Sequence, residues 1–214
     1  CALPIFIGKI FPNWSALLAG SAEAVTPGLV IIIWIIAGTT CSLVLKWLRE
    51  SSKHIDEARR IVADVDKESV WERRNELLDR SRKYGGVVHE AWREFDETLV
   101  DDDERLLNTV PASEFFNERT LAPNLIGNRL LHAIPAILTT IGLLGTFLGL
   151  TLGLRNLSLG DTPDELRKGI QTLVDGAALG FTASLWGVIT SLVVTVVERL
   201  AERSVTKRIH SLQE

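Results

Sequence analysis

The sequence predicts an all-α integral membrane protein with three transmembrane helices, whose long helices extend into a helical cytoplasmic domain. Three observations carry this. Uncharged stretches of membrane-spanning length occur three times: Ala24 to Leu45, Leu130 to Leu154 and Gly176 to Val197. At about 1.5 Å of rise per residue, each is long enough to cross a hydrocarbon core of about 30 Å. The last two stretches carry glycines at helical spacing, and the charged segments between the spans keep a helical period and show no strand alternation.

Taken in order, residues 1–28 hold Pro4, Pro12 and Pro27 around a short apolar run, Ile5 to Phe11, broken by Lys9. This reads as an external interfacial segment, too interrupted to span. The chain starts at Cys1 and contains no Met; removal of an initiator Met is the simple expectation, with a processed lipoprotein Cys as the alternative. Residues 29–48 form the first span, rich in isoleucine and flanked by Trp34 and Trp47. With few small residues in its outer half, it is expected to face lipid outside the bundle. Cys41 lies inside it, so the two cysteines indicate neither a disulfide framework nor a metal site.

Residues 49–131 read as a helical cytoplasmic domain. Ile55, Ala58, Ile61, Val65, Val70, Trp71, Leu77 and Leu78 keep an approximate helical spacing to about Tyr84, so the first span is expected to run on as one long helix. Gly85 and Gly86 break it. A second helix, with Val88, Trp92, Phe95 and Leu99 on one face, is expected to end at the acidic run Asp101 to Glu104. Pro111 to Glu114 and Pro123 to Gly127 mark turns or helix entrances. The second span covers 132–155, with Pro135 placed to bend its entry, and 156–168 is a short external loop. Residues 169–198 form the third span, and 199–214 begin a cytoplasmic helical tail in which Val205, Ile209 and Leu212 outline a weak coiled-coil seam. With no stop signal at Glu214, more helix is expected to follow.

The net charge of −4 says little about topology, because orientation follows where Lys and Arg lie. Fifteen of the 23 basic residues fall between Lys46 and Arg129, and Arg199, Arg203, Lys207 and Arg208 follow the third span; only Lys9 precedes the first. The positive-inside rule therefore places the N-terminus outside, with the large domain and the C-terminus in the cytoplasm.

The second and third spans hold the candidate functional residues. Gly142, Gly145, Gly149 and Gly153 clear side chains from one stripe of the second span; Gly176, Gly180, Ala183 and Gly187 do so on the third. Such stripes let backbones approach closely inside a bilayer. Thr146 lies about 14 residues in from His132 and Thr182 about 13 in from Gly169, which brings two hydroxyls to similar depth. Together they would line a proton path; taken singly, each would simply bond its own i−4 carbonyl. Asp175, at the shallow end of the third span, is either an entry site or a boundary charge. No acidic residue lies deep in any span, so a titrating carboxylate would have to come from another chain.

Other signals are weaker. His89 and Glu90 start a zincin-like pattern, but Arg93 stands where the second His belongs, so no metal site is expected. The run Asp101 to Glu104 lacks the glycine and spacing of a calcium loop. Gly85 and Gly86 lack the residues of a phosphate loop. The basic residues from Arg73 to Lys83 are interleaved with acids, which argues against direct nucleic-acid binding. No cofactor and no enzymatic constellation are expected.

On GLLGTFLGL (Gly142 to Leu150) and DGAALGFTASLWGVITSL (Asp175 to Leu192), in this order of spans, the chain resembles the MotA/TolQ/ExbB proton-channel family. Within it, the segments Pro135 to Leu154 and Phe181 to Leu192 are most similar to the branch found in Zorya anti-phage defence systems. The resemblance implies a homo-pentamer in the bacterial inner membrane, a motor complex without enzymatic activity of its own. Its second and third spans would surround a dimer of a single-span partner of the MotB or ExbD kind, which supplies the titrating aspartate. Thr146 and Thr182 take the family's polar positions. Ser184, Leu185 and Trp186, and then Thr190 and Ser191, depart from the TolQ and ExbB pattern and favour the defence branch. Two alternatives stay open: an energiser of outer-membrane processes of the TolQ or ExbB kind, and a passive membrane scaffold or signalling adaptor.

Overall fold

A computed structural model describes residues 25–64, 73–102, 105–108, 110–155, 157 and 162–213. Most of the interfacial segment 1–28, together with Val65, Val70, Trp71, Asp103, Glu104 and positions 156 and 158–161 of the loop after the second span, lies outside the described residues. The fold is helical, with one short hairpin. Helix α1 covers Val25–Val62, α2 Arg74–Tyr84, α3 Gly86–Glu97, α4 Glu118–Leu121, α5 Pro123–Ile126, α6 Arg129–Arg155 and α7 Pro163–Gln213. Strands β1 (Leu99–Asp102) and β2 (Arg105–Asn108) pair antiparallel between α3 and α4. Helices α1, α6 and α7 are each long and apolar enough to cross a membrane.

Contacts divide the chain into two compact units. The first comprises the described part of Cys1–Cys41 with Leu130–Val197. Its core joins Ile33 and Ala37 of α1 to Leu138 of α6 and Val194 of α7, with Trp34, Ile36, Ile134 and Ile141 packed around them. Trp34 meets Trp186 edge to face, ring centroids 5.0 Å apart, a favoured aromatic geometry. The first span therefore does more than anchor the chain from outside. Val30, Ile33 and Ala37 follow the three- and four-residue steps of one helix face and are buried, while Ile32 and Ile35 point outward. Pro135 does not end α6, which continues through it to Arg155.

The second unit comprises Ser42–Arg129 and Glu198–Glu214. The continuous helix expected to Tyr84 is absent: α1 stops at Val62 and α2 starts at Arg74. Helices α2 and α3 form an antiparallel hairpin turned at Gly85 and Gly86, both at positive φ (66° and 57°). Gly85 also has ψ of −166°, a combination open essentially to glycine alone. At the far end of the hairpin, Arg74 grips the Asp96 carboxylate with two nitrogens, Nη2 to Oδ2 at 3.0 Å, and reaches the Asp96 carbonyl at 3.1 Å. Between these ends Leu77, Ser81, Val88, Ala91 and Trp92 are buried. Trp92, Phe95, Phe115 and Phe116 form an aromatic cluster, with centroids about 6 Å apart.

The acidic run is not a helix end. Helix α3 closes at Glu97, and Asp101 and Asp102 lie in β1, opposite Leu106 and Arg105. Asn117 caps α4, its side-chain oxygen accepting from the Thr120 N–H at 2.9 Å. In the tail, Ala201, Val205 and Ile209 step by four and are buried, as are Ile55, Ala58 and Ile61 of α1. Arg59 donates to Ser211 Oγ at 3.0 Å. Val205 and Ile209 of the expected seam are thus buried within this unit, while the side chain of Leu212 lies outside the described residues.

Candidate functional site

The site is built from the two glycine stripes. Gly142, Gly145, Gly149 and Gly153 are the buried positions along the C-terminal half of α6. They face α7 of the same chain. Gly142 lies on Gly187, Gly149 on Gly180 and Gly153 on Gly176, so these steps of seven and four up α6 are matched by equal steps down α7. Backbone touches backbone here. A methyl group added to Gly149 would stand 2.6 Å from the Gly176 carbonyl oxygen and 2.8 Å from Gly180 N and Cα; one on Gly180 would stand 2.8 Å from Thr146 Cα. Gly145 faces the Ala183 methyl. Gly153 is looser, its nearest neighbour being Leu173 O at 3.3 Å.

This close approach brings two hydroxyls together. Thr146 Oγ1 and Ser184 Oγ are 2.7 Å apart. Ser184 Oγ also reaches the Gly142 carbonyl across the interface at 3.0 Å, and Thr146 Oγ1 reaches the Gly180 carbonyl at 3.3 Å. Both side chains are half-buried. In contrast, Thr139, Thr151, Thr182 and Thr190 bond back to the carbonyl four residues earlier in their own helices, the usual habit of membrane-helix hydroxyls.

Of the residues singled out in the sequence, the glycines therefore meet as two facing stripes, and Thr146 points between the helices. Its hydroxyl partner is Ser184. Thr182 lies half-buried on its own helix, bonded to Ala178 O at 3.0 Å. Asp175 is exposed and accepts from Gln171 Nε2 at 3.0 Å. Ser184 was missed as a functional residue, although a signal was available. It sits four residues after Gly180 and three before Gly187, on the stripe side of α7, whereas Thr182 is turned away from that side.

Away from the stripe the spans stay apolar and uncovered. Leu143, Leu144 and Phe147 of α6 are at least half exposed, as are Phe181, Val188 and Leu192 of α7. Such a surface needs lipid or further protein to cover it.

These features define a membrane-associated helical protein with three candidate spans, two of which form a close-packed pair joined by hydroxyls. The family of the anti-phage protein ZorA of Zorya type I systems matches residues 13–214. The chain belongs to this ZorA-like family. It is also similar to the Zorya protein ZorA of Escherichia coli O139:H28 (strain E24377A / ETEC), with 30% identity over 118 residues, covering 51% of this chain. The chain spans 16% of that relative's length.

Proposed function

We propose that this chain forms the wall of an ion-conducting pore in a membrane motor serving anti-phage defence. The observation that carries the proposal is the Thr146–Ser184 contact, a hydroxyl pair inside spans that hold no formal charge from Leu130 to Leu154 or from Gly176 to Val197. Hydroxyls turned away from their own backbone at that depth bond across the helix pair and offer a polar contact to an ion route. Membership in the ZorA-like family supports the defence setting. The resemblance to the MotA/TolQ/ExbB family supports the mechanism. Five copies ring a dimer of a single-span partner of the ZorB, MotB or ExbD kind, and the partner's aspartate takes up and releases the ion. Thr146 and Thr182 line the route and Asp175 stands near its outer mouth.

In this arrangement the ring lies in the bacterial inner membrane with its N-terminus outside, and the second unit and tail lie in the cytoplasm. The outward apolar faces of α6 and α7 meet neighbouring copies and lipid. Work comes from the ion gradient, so the chain needs no bond chemistry of its own.

The test uses Thr146→Val and Thr182→Val, which keep size and remove the hydroxyl. With the partner co-expressed, both variants are expected to assemble and to lose phage protection and ion flux into proteoliposomes. Full protection by both assembled variants would sink the pore reading and favour a passive scaffold.

A further inference from the structure

We propose that Ser184 is the positioning residue for Thr146, and that the two hydroxyls form a reversible pair able to turn Thr146 from hydrogen-bond acceptor to donor. The inference rests on the pore reading above and adds to it the residue that sets the direction of the Thr146 proton.

A count of hydrogens leads to it. The pair makes three close oxygen contacts: Thr146 to Ser184 at 2.7 Å, Ser184 to Gly142 O at 3.0 Å and Thr146 to Gly180 O at 3.3 Å. Two hydroxyls supply two hydrogens. The 2.7 Å contact must contain one of them, since two bare oxygens at that distance repel. One of the two crossings to a carbonyl is therefore without a hydrogen at any moment.

Two arrangements satisfy the count. In the first, Ser184 donates to Gly142 O and Thr146 donates to Ser184, which leaves lone pairs on Thr146 open to accept. In the second, Ser184 donates to Thr146, which frees the Thr146 hydrogen for Gly180 O or for another acceptor. The shorter crossing, 3.0 against 3.3 Å, favours the first arrangement at rest. No covalent bond breaks in passing between them: each hydrogen stays on its own oxygen, and both C–O bonds rotate together.

The crossings are reciprocal in a way that keeps the backbone satisfied in both states. In a regular helix Gly142 O already accepts the Thr146 N–H, and Gly180 O accepts the Ser184 N–H. Each hydroxyl thus adds to a carbonyl that has its main-chain partner, and releasing it leaves no orphan. A protonated carboxyl group facing Thr146 is matched by the accepting state, and an ionised one by the donating state. Ser184 lets one threonine serve both.

Ion flux by the intact complex with its partner in proteoliposomes tests this, measured in H2O and in D2O. Ser184→Ala removes the switch; Ser184→Cys keeps nearly the same volume with a weak donor and carries the test if the alanine variant fails to assemble. Both are expected to lower flux about tenfold, the worth of one hydrogen bond, and to raise the H2O/D2O flux ratio. Wild-type flux in an assembled Ser184 variant overturns this inference while Thr146→Val remains inactive. Wild-type flux in Thr146→Val overturns the pore reading itself.

Discussion

Replacing Gly149 with alanine is the sharpest test of the helix pair. The added methyl would meet the Gly176 carbonyl oxygen at 2.6 Å, about 0.8 Å inside the 3.4 Å where ordinary contact begins. Its neighbours Gly176 O, Gly180 N and Gly180 Cα are all backbone, so no side chain can rotate away. The helices must part locally. Overpacking of this kind costs about 1–3 kcal/mol. Parting by a comparable distance would stretch the Ser184 to Gly142 O contact, now 3.0 Å, beyond hydrogen-bonding range, and add about 0.6–1.7 kcal/mol. Alanine's better helix propensity returns only about 0.5–1 kcal/mol. A net loss of about 1–4 kcal/mol is expected. Gly153→Ala is the control: its methyl would meet Leu173 O at 3.3 Å and Leu173 Cα at 3.4 Å, so it should be near neutral. Unfolding midpoints of both variants in mixed detergent micelles decide the matter. Equal midpoints, or Gly153→Ala being the weaker, would refute the backbone-contact argument.

Two further predictions concern the second unit. Gly85→Ala forces an L side chain into φ 66°, ψ −166° and should destabilise the α2–α3 hairpin by about 1–3 kcal/mol, read as faster amide exchange across α2 and α3. Arg74 and Asp96 form a two-pronged ion pair with side-chain exposures of 34% and 16%. A double-mutant cycle with alanine should give a coupling of about 1 kcal/mol that weakens in high salt, and a coupling of zero would assign hairpin closure to apolar packing alone.

Much of this structure is legible in the chain because glycine spacing and charge-free length are local signals. The stripes and the helix break at Gly85 follow from them directly. The identity of Thr146's partner does not. Thr182 and Ser184 differ by only about 3 Å in depth, so depth matching admits both; rotation about the helix axis separates them, and only Ser184 shares a side with Gly180 and Gly187. The hairpin at Leu99–Asn108 was hidden for another reason. Each strand has four residues, too few for alternation to register against a run of acids. The stop at Val62 carries no glycine or proline signal, since the sequence keeps a helical period through Val65 and Val70.

The matched steps of α6 and α7 have a consequence for how this chain can vary. Facing glycines act like the teeth of a zip, each seated against the backbone of the opposing helix. Turning one helix by a single residue, about 100°, would disengage Gly142, Gly149 and Gly153 together and bring Leu143, Leu150 and Leu154 toward the opposing backbone. A residue inserted between Gly142 and Gly153 would turn the glycines beyond it by about 100°, off the face that meets α7, so the stripe accepts no change of length. The connection between Arg155 and Pro163 lies outside the toothed stretch, so its length can change without disturbing the register.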